Sequence, residues 1–425
     1  MRRSFVPLTA AALTGTLALS ACGSGADDGP VTLQFLSLAW QTESVEANER
    51  LVEEWNQAHP DIQVEYVQGS WDNVNDQLTT GFEAGDPPDV IHNDSPALAG
   101  FAGRGYLTDL TGMLPDDLKD DIRPEAWETA TFGDQIVGVP FLQESQVFIA
   151  NRALLEDAGV RIPTPDDPWT WDEFAEISKD LTDDDTYAVA WPLGSPVNRV
   201  LNLSLNYGGT FFDVDDEGRA TARMGDPERE VLERIHDQIH TDHTADPGTV
   251  GMSGSDPLPA FFAEEYAMVQ VGVYARQQIV EQAPEDFDWV TIPPLVGDTA
   301  EQGAASQTLS VAADSAHPEE AAEFISFFTN AENQVDLALG DWLLPTSQEA
   351  AAAPELTTEE NDWDVATASA DDLVVAPYLH VQGFDEWKNR VAQPALEEYF
   401  SGEIDIDELS ERLETEGNDV LSRYN

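Results

Sequence analysis

From Val31 onward the chain alternates short strand-like runs with amphipathic helical stretches, and that order restricts it to few architectures. Val31-Thr32-Leu33-Gln34-Phe35-Leu36 is apolar and β-branched. A helical stretch follows from Glu43 to His59, with Leu51, Val52 and Trp55 at helical spacing and Pro60 as its stop. Ile62 to Val67 alternates apolar and polar residues, Val74 to Glu83 has helical periodicity, and Pro88-Asp89-Val90-Ile91 opens a third strand. A βαβα order of this kind predicts an α/β fold with a mostly parallel, doubly wound sheet, because parallel neighbours need a crossover helix. A second run of the same kind begins after Ile149. Within it DDPWTW (166–171) predicts a turn feeding a helix over 172–181. Further helices are predicted over 318–329, 331–339, 384–400 and 407–421. No repeat of solenoid length is present.

The residues ahead of Val31 have a different character. Arg2 and Arg3 precede an apolar stretch, Phe5 to Leu19, that falls short of the ~20 residues needed to span a bilayer. It ends in Leu19-Ser20-Ala21-Cys22, which has the form of a bacterial lipobox. This predicts a signal peptide over 1–21, a lipid on the Cys22 sulfur and a flexible tether over 22–30, GSGADDGP after the cysteine. The mature protein is then expected on the outer face of the cytoplasmic membrane, held by its lipid. Cys22 is the chain's single cysteine, so an intramolecular disulfide and a multi-thiolate metal centre are both excluded.

Charge narrows the partners. Against 82 Asp and Glu stand 19 Lys and Arg, a formal net charge of -63 in 425 residues. A field of that sign repels phosphate backbones and anionic headgroups, so nucleic acid is not an expected partner. The acidity is spread along the chain. Clusters such as Asp183-Asp184-Asp185 and Asp116-Asp117 read as solvated turns and helix starts. Lysine occurs only at 119, 179 and 388, and the balance predicts a surface adapted to salt.

Catalytic and metal signatures are weak. His236, His240 and His243 in HDQIHTDH place three rings near one helical face, but a solvated helix end explains them as well. Asp213 to Gly218 resembles an EF-hand start but reaches Met224 where a bidentate Glu is required, so a β-turn is expected. Gly251-Met252-Ser253-Gly254-Ser255 lacks the last glycine of a nucleophile elbow, and no phosphate-cradling glycine loop occurs. A glycosidase carboxylate pair carries no weight, since 82 acidic residues always supply one. No cofactor, metal or catalytic residue is predicted.

Several landmarks occur in a fixed order: "HPDIQVEYV", "EAGDPPDVI", "FAGRGYLTDLT", "GVPF", "NRALLEDAGV", "TWDEFAEISKDLT", "FFAEEYAMVQVGVYAR", "FDWVTIPPL", "ADSAHPEEAAEFISFFTNAENQ" and a "LPTS" turn. Together, behind a lipobox, they resemble the carbohydrate-binding lipoproteins of ABC importers, the extracellular solute-binding proteins that include maltose-binding protein. The resemblance runs from about Val31 to Leu421. It implies a periplasmic-binding-protein-like fold of type II, in which two α/β lobes joined by several chain crossings close on a ligand. The lobes would be 31–145 with 309–361, and 146–308 with 362–425. It further implies a monomer with two partners, a small sugar and an ABC permease.

Sugars present apolar C–H faces and a rim of hydroxyls, so their sites need aromatic rings and planar hydrogen-bonding groups. In doubly wound sheets such groups lie on loops at the carboxyl ends of strands. That selects Trp40, Gln41, Asn93 and Asp94 in the first lobe, and Trp191 and Tyr274 in the second. Asn198 and Arg199 follow Trp191, and Trp342 enters a loop. The remaining tryptophans, Trp55, Trp71, Trp127, Trp169, Trp171, Trp289 and Trp363, are expected to pack. The family resemblance adds Glu144 just after "GVPF", Gly303 before the return crossing, and Arg390 on the helix after Trp387. It also places Tyr274 where a stacking tryptophan is usual, with Arg276 two residues on. The smaller face argues against a long maltodextrin-like ligand. A polyol or glycerol phosphate ester is the first alternative and a surface-anchored glycoside hydrolase the second; a phosphate would require Arg199, Arg276 and Arg390 to converge.

Overall fold

The computed structural model describes residues 29–215 and 219–424. The predicted signal segment and Cys22 lie outside these residues, as does the tip of the 213–218 turn. The first elements follow the predicted order: β1 (Val31–Ser37), α1 (Thr42–Ala58), β2 (Ile62–Gln68), α2 (Val74–Ala84), β3 (Val90–Asp94) and α3 (Ser95–Gly103). Helix α1 buries Ala47, Leu51, Val52 and Trp55 and turns its carboxylates to water. Helix α2 ends at Gly85, whose φ of 70° suits a residue without Cβ.

β4 (Val139–Gln143) runs to the edge of this sheet, and two residues later β5 (Gln146–Asn151) starts a second one. There follow α4 (Trp171–Leu181), β6 (Tyr187–Ala190), α5 (Pro196–Ser204), α6 (Asp226–His240), β7 (Tyr266–Gly272) and β8 (Trp289–Ile292). Thr170 and Glu173 close a capping box that fixes the start of α4. The chain returns through β9 (Gln302–Ala304) and re-enters the first sheet as β10 (Ser306–Val311), followed by α7 (Pro318–Phe328), α8 (Ala331–Asp341) and β11 (Leu344–Pro345). A third passage, β12 (Leu373–Val375), pairs in parallel with β9 and leads to helices packed on the second sheet, ending in α9 (Ile406–Leu421).

The six-stranded sheet has the order β11-β4-β10-β3-β1-β2, and the four-stranded sheet β8-β5-β7-β6. Only β1–β2, β1–β3 and β7–β6 are parallel within them. The expected mostly parallel sheet is therefore corrected to a mixed one. The reason lies in the crossings: β10 arrives from the other sheet at the edge where β3 and β4 end, so it must run against both. A bulge between Gln307 and Thr308 shifts its register beside that edge. The single helix expected over 384–400 is interrupted by a π-helical turn at Lys388–Ala392. Pro394 has no N–H to complete the regular ladder there.

Each sheet has an aromatic core. Phe35, Trp55, Phe324 and Phe328 meet edge-on or tilted in the first, with Phe35–Phe328 centroids 5.2 Å apart. In the second, Trp171 and Trp191 stack at 6.3 Å with Phe148 edge-on to Trp191. Among the described residues no helix is long and apolar enough to cross a membrane.

Candidate binding cavity between the lobes

The carboxyl ends of β1, β3 and β4 face those of β6 and β7 across a cleft, and a cavity of about 850 Å³ lies between them. That is in the upper part of the roughly 300–1,000 Å³ range of small-molecule sites. Seven of the sequence candidates line it: Trp40, Gln41, Asp94, Glu144, Asn198, Arg199 and Tyr274.

Trp40 follows β1 and is 52% exposed, and its ring stands edge-on to Tyr274 from the opposite lobe, with centroids 6.4 Å apart. Gln41 beside it is buried, and neither its Oε1 nor its Nε2 has a partner. The loop carrying both is fixed by His92 on β3. His92 Nδ1 accepts from the Leu38 N–H at 3.0 Å, so the proton sits on Nε2 and is donated to Gln307 Oε1 at 2.9 Å. Burial pushes this imidazole down to about 4, against a small opposing effect of Gln307. It is neutral at pH 7 and positions two cavity residues at once.

Glu144 lies in the crossing between β4 and β5. Its Oε1 accepts from Gln146 Nε2 at 2.5 Å, and Gln146 in turn accepts from Gln270 at 2.8 Å. Burial raises the Glu144 carboxyl and lowers the Arg199 guanidinium, while their mutual attraction opposes both shifts. Arg199 reaches the cavity from α5 with its Nε unpartnered, and Asn198 Oδ1 is unpartnered too. Burial and the Glu144 charge push the Tyr274 phenol up to about 12, so it remains a donor at neutral pH. Room for Glu144 and Tyr274 is made by Gly272 at the end of β7. A Cβ there would lie 2.1 Å from Glu144 Oε1 and 2.7 Å from Tyr274 Cε1. Asp94 stands at the N-cap position of α3 without a side-chain cap hydrogen bond, and burial raises its carboxyl against the pull of Lys388.

Other candidates lie elsewhere. Trp191 is fully buried, with Nε1 donating to Gln238 Oε1 at 2.9 Å; its ring turns to the helix layer, not the cleft. Trp387 is buried against α9, its Nε1 3.4 Å from the Leu413 carbonyl. Arg390 is exposed in the π turn and pairs with Glu386 at 2.5 Å. Arg276 lies beneath the cavity wall between Trp363 and Trp342, donating to the carbonyls of Val273, Asn361, Asp362 and Trp342. Trp342 therefore backs the wall while its neighbours Asp341 and Leu343 line it. Asn93 braces the site indirectly, accepting from the Asp94 N–H at 2.8 Å and donating to Asn75. Gly303 permits the close approach of Asn202, which accepts from Tyr378 at 2.8 Å.

The sequence reasoning missed Trp71, Gln146, Asn202, Gln307, Asp341 and Tyr378, all of which line the cavity. Trp71 had a usable signal, since its loop follows β2 as Trp40's follows β1. Of the histidine cluster, His236 and His240 stay together with ring centroids 4.5 Å apart, but His243 does not join them. His236 stacks on Tyr399, His240 Nε2 meets the Phe400 carbonyl at 2.9 Å, and α6 has ended before His243. No group of His, Cys, Asp and Glu among the described residues converges to hold a metal ion.

Residues 39–335 match the model of the bacterial extracellular solute-binding proteins. A lipoprotein of Streptomyces antibioticus, named as uncharacterized and from the oleD 5' region, is 51% identical over 389 residues, covering 91% of this chain and 86% of that one. The multiple sugar-binding protein of Streptococcus mutans is 25% identical over 345 residues, 75% of this chain and 76% of its own. Among solved structures, the GacH receptor of Streptomyces glaucescens superposes with a TM-score of 0.76 at 21% identity, over 93% of this chain and 100% of that chain. The fold is that of a two-lobed periplasmic binding protein, and the chain belongs to the bacterial extracellular solute-binding protein family.

Proposed function

We propose that this protein captures a mono- or oligosaccharide outside the cell and delivers it to the permease of an ABC importer. The observation that carries this is the cavity itself. Two aromatic faces, Trp40 and Tyr274, stand beside buried polar groups that have no protein partner: the Gln41 amide, Asn198 Oδ1 and Arg199 Nε. A buried polar atom without a partner costs about 1–3 kcal/mol, which a ligand rich in hydroxyls recovers on binding. Aromatic faces accept the C–H faces of pyranose rings. Binding is non-covalent, and closure is driven by contacts absent from the open form.

The lobes are 31–145 with 309–361, and 146–308 with 362–425. The pairing of β10 with the first sheet from Ser306 supports a return crossing in this region. The mature chain works as a monomer and is held to the membrane by a lipid on Cys22. A phosphate-ester solute is not favoured. Arg199 faces the cavity, but Arg276 is enclosed by Trp342, Trp363 and four carbonyls, and Arg390 is a surface ion pair.

A thermal-shift panel of saccharides, polyols and phosphate esters tests the proposal. A native-state ligand at 100 times its Kd adds about 2.7 kcal/mol, enough to raise the midpoint clearly. One saccharide series is expected to do so, without product on incubation. Silence across the saccharides with a shift from phosphate esters would overturn it.

A further inference from the structure

Four cavity carboxylates, Asp94, Glu144, Asp256 and Asp341, stand against the single guanidinium of Arg199, and Asp256 accepts from the Ser253 N–H at 2.9 Å. Two of them are balanced by the protein. Glu144 and Arg199 act on each other, and Asp94 feels Lys388. Asp341 is not balanced: it is 3% exposed, no cation acts on it, and it has the Ser44 hydroxyl as a polar neighbour. The end of α8 that carries it abuts the first turn of α1, where a Cβ at Gly340 would lie 3.1 Å from Ser44 Cα. The residue that precedes this turn is Gln41, whose carbonyl oxygen and amide nitrogen are both buried without a partner. One wall of the cavity thus presents a charged acceptor whose polar neighbour is the Ser44 hydroxyl and a neutral acceptor with no protein partner.

We propose that the transported solute carries a protonated amine, which docks against Asp341 and Gln41 Oε1 in the first-lobe half of the cavity. The proposal rests on the saccharide reading, and the solute is then an amino-bearing saccharide. A hydroxyl supplies one donor and leaves the carboxylate charge uncompensated, whereas an ammonium supplies three donors and a matching charge. Trp40 at the mouth and Trp71 in the wall add π faces that attract a cation. The net charge of -63 also concentrates cations around the molecule and speeds their encounter with the cleft. Burial pushes the Asp341 carboxyl up to about 6, and an ammonium beside it would reverse that shift.

The test is calorimetry on the mature chain at pH 7 with matched sets differing only in whether a hydroxyl, an amine or an acetamide stands at the same ring position or positions. These are glucose, glucosamine and N-acetylglucosamine; galactose and galactosamine; 3-amino-3-deoxyglucose; and cellobiose, the chitosan dimer and diacetylchitobiose. An amine member is expected to bind more than tenfold tighter than its hydroxyl and acetylated counterparts. Asp341→Asn should weaken the amine at least tenfold more than it weakens the neutral counterpart. If that variant fails to fold by circular dichroism, Gln41→Leu is read in the same way, and the wild-type ranking decides by itself. Neutral members that bind as tightly as the amines would overturn the amine assignment and leave saccharide capture standing. Failure of every saccharide would overturn both.

Discussion

A carboxylate that is 3% exposed and has no cation beside it destabilises the unliganded protein, because its ionised form is poorly solvated. Asp341 shows the consequence as a pH dependence. Burial pushes it from an ordinary 3.8 to about 6, so the unfolded chain ionises first. Its contribution to stability is therefore largest at low pH and is lost as pH rises from about 4 to 6, roughly 3 kcal/mol over the two-unit shift. His92 acts in the opposite sense. Its pKa falls from 6.5 to about 4, so the unfolded chain takes the proton first and stability is lost as pH falls through the same window. The two effects are similar in size and mask each other in the wild type. Asp341→Asn is expected to match wild-type stability below pH 4 and to exceed it by about 3 kcal/mol at pH 7, read from denaturation curves across pH. A difference independent of pH would show that the carboxyl is not perturbed. Nothing local in the sequence marks Asp341, since it becomes a cavity group only when α8 meets α1. Trp40, Asp94 and Tyr274 were legible because each lies at or just beyond a strand end. Trp191 obeys the same rule and fails it, because Gln238 on α6 draws its N–H into the core.

Strands and helices were legible to within a residue or two where periodicity was strong, as in α1, α2 and α7. Strand direction was not, because an apolar run reads alike whichever way its neighbour points. Direction here is imposed by the three crossings, which are long-range facts. The end of β7 illustrates how an element shapes the site. Gly272 is the last residue of a fully buried strand whose alternatives are limited by the side chains opposite, not by its own backbone. Gly272→Ala is expected to keep the fold, because the atoms it meets belong to Glu144 and Tyr274 side chains that can swing into the cavity. Ligand affinity should fall more than tenfold by calorimetry, with a melting midpoint within a few degrees of wild type. A collapse of the midpoint would mean that these side chains have nowhere to go.

At the scale of the molecule, a net charge of -63 opposes compactness through self-repulsion. The screening length shrinks from about 10 Å at 0.1 M salt to about 3 Å at 1 M, so most of that repulsion disappears in brine. The melting midpoint is expected to climb by several degrees between these conditions in NaCl, and an unchanged midpoint would argue against a salt-adapted surface. The two-lobed plan was legible only through the ordered landmarks taken together. The cleft was less so, since its wall is assembled from segments hundreds of residues apart.

The exposure of Trp40 has an optical consequence. Trp55, Trp169, Trp171, Trp191 and Trp387 are at most 2% exposed, so their emission is set by the core and is indifferent to the cleft. Trp40, 52% exposed, emits from beside water until a solute displaces it. The unlabelled protein should therefore report its own occupancy as a blue shift in tryptophan fluorescence during titration, and Trp40→Phe should darken that signal while leaving the core emission in place.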